Sequence, residues 1–145
     1  MRILVVEPMD RLRIAPPLRA SEFMPSCRAL LCALLGSAAT VDWAADGAGA
    51  LDRFRAAREE GRPFDLVCIE LGLPDMDGLF LLRCLRRDER SHGTRTRALM
   101  VSGWVACARL RRMVRARADG YVALEAGRRA LDAQISGLGL LPMVS

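Results

Sequence analysis

The sequence predicts an α/β fold: five short strands pair into one parallel sheet, each is followed by a helix, and the helices cover both faces. Two observations carry this prediction. Short apolar runs alternate along the chain with segments whose apolar residues recur at helical spacing, which is the rhythm of repeated βαβ units. The run Phe64–Ile69 is also a continuous apolar stretch bounded by turn signals, as suits a strand buried on both faces. A carboxylate, Glu70, stands where that run stops, and a turn-rich segment with Leu73-Pro74, Asp75 and Asp77-Gly78 follows. Sites in open α/β sheets form outside the carboxyl ends of the strands, so Glu70 is the first candidate for chemistry.

In chain order, Arg2–Val6 predicts strand β1, which ends at Glu7-Pro8. Residues 8–21 carry three prolines and three arginines with weak periodicity, and Pro16-Pro17 forbids a regular helix there. An irregular insertion between the first strand and the first helix is expected. Phe23–Leu35 predicts α1, with Phe23, Cys27, Leu30, Leu31 and Leu34 at helical spacing and Gly36 as the stop. Thr40–Trp43 predicts β2, and Ala45-Asp46-Gly47 a turn. Ala48–Arg58 predicts α2, with Leu51 and Phe54 inward. Phe64–Ile69 is β3. Leu79–Arg87 predicts α3, with Leu79, Leu82 and Leu85 inward and Arg83, Arg86 and Arg87 outward. Ala98–Val101 predicts β4, ending at Ser102-Gly103, and Trp104–Ala118 predicts α4. Tyr121–Leu124 predicts β5 and Gly127–Ile135 predicts α5, ahead of an apolar tail. The expectation is a single domain over 1–145 with an insertion at about 8–21, in a flavodoxin-like, doubly wound (βα)5 arrangement with strand order 2-1-3-4-5.

Composition narrows the function classes. Of the 145 residues, 52% are hydrophobic but only 5% aromatic, so the core is built from Ala, Leu and Val. No apolar run approaches the ~18 residues of a membrane span. Met1-Arg2 leads directly into a strand, with no signal peptide, so a cytoplasmic protein is expected. The five cysteines (Cys27, Cys32, Cys68, Cys84 and Cys107) form no CxxC pair and are expected as buried reduced thiols. The net charge is +5, and every basic residue apart from His92 is arginine. With no lysine, the chain has no side-chain amine nucleophile. His92, the single histidine, sits in a polar loop and is expected at the surface. Ser102 lacks the histidine context of a hydrolase nucleophile. Gly47, Gly49 and Gly61 make no phosphate-binding loop.

The stretch Asp65–Gly78, DLVCIELGLPDMDG, resembles the central motif of response-regulator receiver domains, and the likeness extends over nearly the whole chain. In that family the third strand ends in a phospho-accepting Asp, followed by a Leu-Pro or Met-Pro turn. The acceptor position here holds Glu70. The family's acid pair after the first strand falls on Glu7 and Pro8, and the metal-facing backbone carbonyl falls on Gly72. The hydroxyl position is Ser102 and the switch aromatic is Tyr121. The lysine position is Leu124, followed by Glu125 where the family has proline.

These departures bear on chemistry. Pro8 has no side-chain ligand for Mg²⁺, which takes octahedral oxygen coordination. Phosphoryl transfer depends on positioning and charge stabilisation. A longer acceptor moves the reacting oxygen by about an ångström, a displacement that costs ~10²-fold. Loss of the lysine and half the metal cradle removes several kcal/mol of stabilisation. The resemblance therefore implies a stand-alone, degenerate receiver, a pseudo-receiver of two-component phosphorelay signalling. It would act by phosphorylation-independent protein–protein contact, with no enzymatic activity and no Mg²⁺ or other cofactor. Its partner would be a histidine kinase or another signalling protein. The family's usual partner or homodimer surface, the α4–β5–α5 face, would carry Trp104, Arg111, Arg112, Arg115 and Tyr121.

The residues are compatible with other readings. An atypical receiver could still be phosphorylated by a histidine kinase at Glu70. A nucleic-acid-associated regulator could use the α4 arginines, although no aromatic interleaving supports it. Glu70 would either imitate a phosphorylated acceptor or stand as a solvated relic. Asp10 or Glu22 could rebuild a metal site, Arg11 or Arg13 could pair with Glu70, or the insertion could lie away from the pocket.

Overall fold

The structure is a computed structural model that describes residues 1–9, 26–102, 112, 116–123 and 127–140. Its strands are β1 (Arg2–Val6), β2 (Thr40–Ala44), β3 (Leu66–Glu70), β4 (Arg97–Ser102) and β5 (Gly120–Ala123). All pairs are parallel and the order is β2-β1-β3-β4-β5, as the sequence predicts. Four α-helices have their bounds among the described residues, α1 (Cys27–Leu35), α2 (Gly47–Glu59), α3 (Gly78–Arg90) and α5 (Gly127–Gly137), and a short 3-10 helix, Gly36–Ala38, follows α1.

Strand alternation divides the core in two. Leu4, Val6, Val67, Ile69 and Met100 face Phe54 of α2 and Leu82 of α3. Ile3, Val5, Cys68, Leu99 and Val101 face Leu31 of α1 and Leu131 and Ile135 of α5. Each large side chain buried in this way contributes about 1.5–3 kcal/mol over exposure. A helix on each face is what makes the central strands apolar throughout.

Several boundaries differ from expectation, each for a local reason. Ser26 is extended, and its hydroxyl accepts from Ala29 N at 3.0 Å, so α1 starts at Cys27 rather than Phe23. The Asp65 carboxylate accepts from Arg2 N at 2.7 Å, and β3 begins after it, at Leu66, and ends at Glu70. Ala116 N donates to Arg112 O at 2.9 Å, but Ala116 and Arg117 form a turn, which ends the expected α4 before Ala118. Strand β5 starts one residue early at Gly120, where a Cβ would collide with Gln134 and Leu99. Cys27 and Cys68 are buried as expected, whereas Cys32 is exposed on α1.

The largest correction concerns Arg86. Expected to face solvent, it is only 6% exposed. Its Nη1 donates to Glu89 at 2.9 Å and to Thr96 O at 2.6 Å. Its Nη2 donates to Asp119 at 2.9 Å and to Arg117 O at 3.0 Å, and its Nε to Arg117 O at 3.2 Å. Glu89 is completed by Thr96 N at 2.6 Å, and Asp119 by Ala98 N at 2.8 Å and Arg95 at 2.7 Å. A buried guanidinium is tolerated because every donor finds an acceptor. The network ties the end of α3 to the starts of β4 and β5.

Candidate functional site

Strand register assembles the candidate site at the carboxyl edge of the sheet. Val6 pairs with Ile69, so Glu7 and Glu70 each extend one residue beyond that pair on neighbouring strands. Glu70 pairs with Val101, and Ser102 pairs with Ala123. The ends of β1, β3 and β4 therefore bring Glu7, Glu70 and the backbone of Ser102 to one edge.

Glu70 is half-buried at the last position of β3. The start of α3 packs directly behind it. A Cβ on Gly78 would run into the Glu70 carbonyl oxygen, so this contact requires glycine. Gly78 N donates to Leu71 O at 2.9 Å, and Leu71 N donates to Val101 O at 3.1 Å. Exposed Gly72 forms an isolated antiparallel bridge with Asp77, which closes the turn between them. Asp77 also caps α3, accepting from Leu79 N at 2.7 Å.

Glu7 is 4% exposed, and its carboxylate lies at the first turn of α1. Oε2 accepts from Cys27 N at 3.0 Å and Oε1 from Arg28 N at 3.3 Å. The first amides of a helix lack intrahelical acceptors and favour negative charge, so a carboxylate is well placed there. The backbone of Glu7 is engaged as well, with N donating to Ala44 O at 3.1 Å and O accepting from Trp43 Nε1 at 3.0 Å. The Arg28 guanidinium sits 4.7 Å from the Trp43 ring centre, within cation–π range. Glu7 thus joins β1, β2 and α1, and Pro8 beside it is buried.

The turn after β3 docks on α2 in the same manner. Asp75 accepts from Gly47 N at 2.8 Å and Ala48 N at 3.0 Å, and these two amides hold its carboxyl below the ordinary carboxylate range. A Cβ on Gly47 would strike the Met76 side chain, so the two segments are in close contact. Asp46 supplies the N-cap of α2 through Gly49 N at 2.7 Å.

Tyr121 is half-buried, packs against the α2/α3 side of the core, and pairs in register with Met100. Arg112 is exposed and His92 is exposed. Leu124, Glu125, Trp104, Arg111, Arg115, Asp10, Arg11, Arg13 and Glu22 lie outside the described residues, as does most of the insertion expected at about 8–21. Among the described residues no three His, Cys, Asp or Glu side chains converge as a metal cluster, and no helix is long and apolar enough to cross a membrane.

Sequence reasoning missed the capping roles of Glu7 and Asp75 and the burial of Arg86. For Asp75 the signal was its place in a polar turn opposite the Asp46-Gly47 helix start. For Arg86 it was the inward stripe itself: Leu82 and Arg86 are four apart, and Arg86 and Glu89 are three apart with opposite charge.

The sequence profile of the response regulator receiver domain family matches residues 24–136. The match begins beyond β1, yet the sheet places β1 between β2 and β3. The chain has no significant match among curated protein sequences. Solved structures share the fold. One is a CheY-like response regulator receiver domain protein from Methanospirillum hungatei JF-1, at 23% identity and TM-score 0.68, over 94% of this chain and 91% of that one. Another is the receiver domain of the histidine kinase CKI1 from Arabidopsis thaliana, complexed with Mg²⁺ and BeF₃⁻, at 23% identity and TM-score 0.66, over 93% and 89%. A third is a CheX–CheY–BeF₃–Mg²⁺ complex from Borrelia burgdorferi, at 16% identity and TM-score 0.72, over 97% and 90%.

Proposed function

We propose, from the premise that this chain belongs to the response regulator receiver domain family, that it serves two-component signalling as a pseudo-receiver, a docking module whose state is not set by phosphorylation. The observation that carries this reading is the composition of the carboxyl edge. Glu70 stands at the acceptor position, and the Glu7 carboxylate is hydrogen-bonded to the Cys27 and Arg28 amides. Pro8 fills the second acidic position, and no lysine exists anywhere in the chain. A phosphoryl group arriving at Glu70 would lack the cation that neutralises its developing charge.

Glu7 matters most here. For its carboxylate to turn to a metal, it would have to give up two helix amides, leaving them without that acceptor. A Mg²⁺ held by Glu7, Glu70 and the Gly72 carbonyl would have to offset that loss, so no cofactor is assigned. The partner is a histidine kinase or another signalling protein, met through the α4–β5–α5 face, where Arg112 is exposed and Tyr121 half-buried. That the Borrelia neighbour was solved as a complex of two proteins supports recognition of this fold by a protein partner.

The test is incubation of the full chain with acetyl phosphate and Mg²⁺, followed by intact mass measurement. The expected result is an unchanged mass. A gain of one phosphoryl group, lost on Glu70→Gln substitution, would replace this reading with that of a receiver still phosphorylated at Glu70.

A further inference from the structure

The amino edge of the sheet, opposite Glu70, carries a surface cavity of about 240 Å³ between the end of α3, the turn that follows it and the approach to β5. Four arginines line it (Arg86, Arg90, Arg95 and Arg117) against one carboxylate, Glu89. Asp119, just outside the lining, pairs with two of the four, Arg86 at 2.9 Å and Arg95 at 2.7 Å, with Arg97 farther off at 3.7 Å.

The lining residues divide by what they are already doing. Arg86 and Glu89 are engaged with each other and with backbone, so Glu89 does not neutralise the rest of the wall. Arg95 reaches Asp119 at 2.7 Å. Arg90 and Arg117 are exposed, and among the described residues no carboxylate pairs with either. Nor does any acceptor among the described residues take the amides of Gly93 and Thr94, where Gly93 turns the chain at φ 67. Arg117 adopts φ 65, the one left-handed non-glycine conformation among the described residues. A side chain with a Cβ resists that conformation. It is held because the Arg117 carbonyl accepts two hydrogen bonds from Arg86. Such an outlier points to function when its surroundings over-determine it.

A concave wall in which the Arg90 and Arg117 guanidinium groups and the Gly93 and Thr94 amides meet no acceptor among the described residues suits an oxyanion. Arginine forks match phosphate geometry, and successive amides in a turn form anion-binding concavities. We propose that this cavity binds a phosphoryl dianion, as free phosphate or as the phosphate monoester of a small molecule, through Arg90, Arg117 and the amides of Gly93 and Thr94. The site lies at the edge of the sheet away from Glu70, so it stands whether or not Glu70 accepts a phosphoryl group.

The test follows the backbone amide signals of the full chain by NMR during titration with inorganic phosphate, phenyl phosphate or chloride at matched ionic strength. Saturable shifts of Gly93 and Thr94 are expected with phosphate at a dissociation constant of about 1 mM or tighter, weakening as salt is added. Arg90→Gln combined with Arg117→Gly, a glycine that suits the left-handed backbone, should weaken binding about tenfold or more. Exposed Arg90→Gln alone repeats the test with the turn intact. Tighter binding of phenyl phosphate assigns a monoester, and tighter binding of inorganic phosphate assigns the free anion. Shifts that chloride reproduces, or affinity retained by the double variant, overturn the proposal.

Discussion

At the carboxyl edge of the sheet, acids are used one at a time. Glu7 holds the start of α1, Asp75 and Asp46 hold α2, and Asp77 holds α3, each through backbone amides. At the amino edge, charges are used together. Arg86, Glu89 and Asp119 form one buried cluster that also satisfies the backbone of Thr96, Ala98 and Arg117. The difference is in what happens when one member is lost. A missing cap leaves one or two helix amides and no orphaned charge; water can reach them beside exposed Asp75 and Asp77, whereas the Cys27 amide under Glu7 stays buried. A missing guanidinium leaves Glu89 buried without its cation and Asp119 with only Arg95 and Arg97, and burial makes that expensive.

Arg86→Met keeps the aliphatic stem and removes the charge from the buried cluster. Stability in urea should fall by about 3–5 kcal/mol, and a loss below about 1 kcal/mol would mean the cluster is solvated. Adding Glu89→Gln should recover part of the loss, because one orphaned charge is then gone.

Glu7→Gln addresses the other edge and should cost less, about 0.5–2 kcal/mol. Thermal melts with and without Mg²⁺ should show the same cost. A cost that appears only with Mg²⁺ would mean Glu7 is a metal ligand first and a cap second.

The smallest effect belongs to Asp75→Asn, since Asp75 is exposed. The Gly47 and Ala48 amides depress its carboxyl, so its contribution is present above the unfolded value near 4 and fades as pH falls through the lower folded value. Wild type should therefore be the more stable at neutral pH, and its advantage should shrink as pH drops below about 4. An advantage constant across that range would remove the charge from the explanation. Asp88 titrates in the same direction in both proteins. Burial pushes its carboxyl up, but Arg58 and Arg55, the latter 3.3 Å away, hold it down overall.

Much of the fold was legible because strand and helix periods are written within a few residues. The runs at Arg2–Val6 and Phe64–Ile69 marked β1 and β3 as buried strands, and Glu70 at the end of β3 followed directly. Boundaries slipped where a single polar side chain decided them, as with Ser26 before α1 and Asp65 before β3. The face of Arg86 was misassigned because an arginine on a helix is expected in water unless its partners are known.

Side-chain type and local spacing were enough to locate the five strands and to put Glu70 at the end of β3, while the strand order and the acceptor position were read from the resemblance to receiver domains. Where the charges went depended on contacts between distant parts of the chain. Glu7 meets Cys27 across 20 residues, Asp75 meets Gly47 across 28 and Arg86 meets Asp119 across 33. No local period spans such distances. A buried charge is tolerated only beside its partner, and the fold alone brings the partners together.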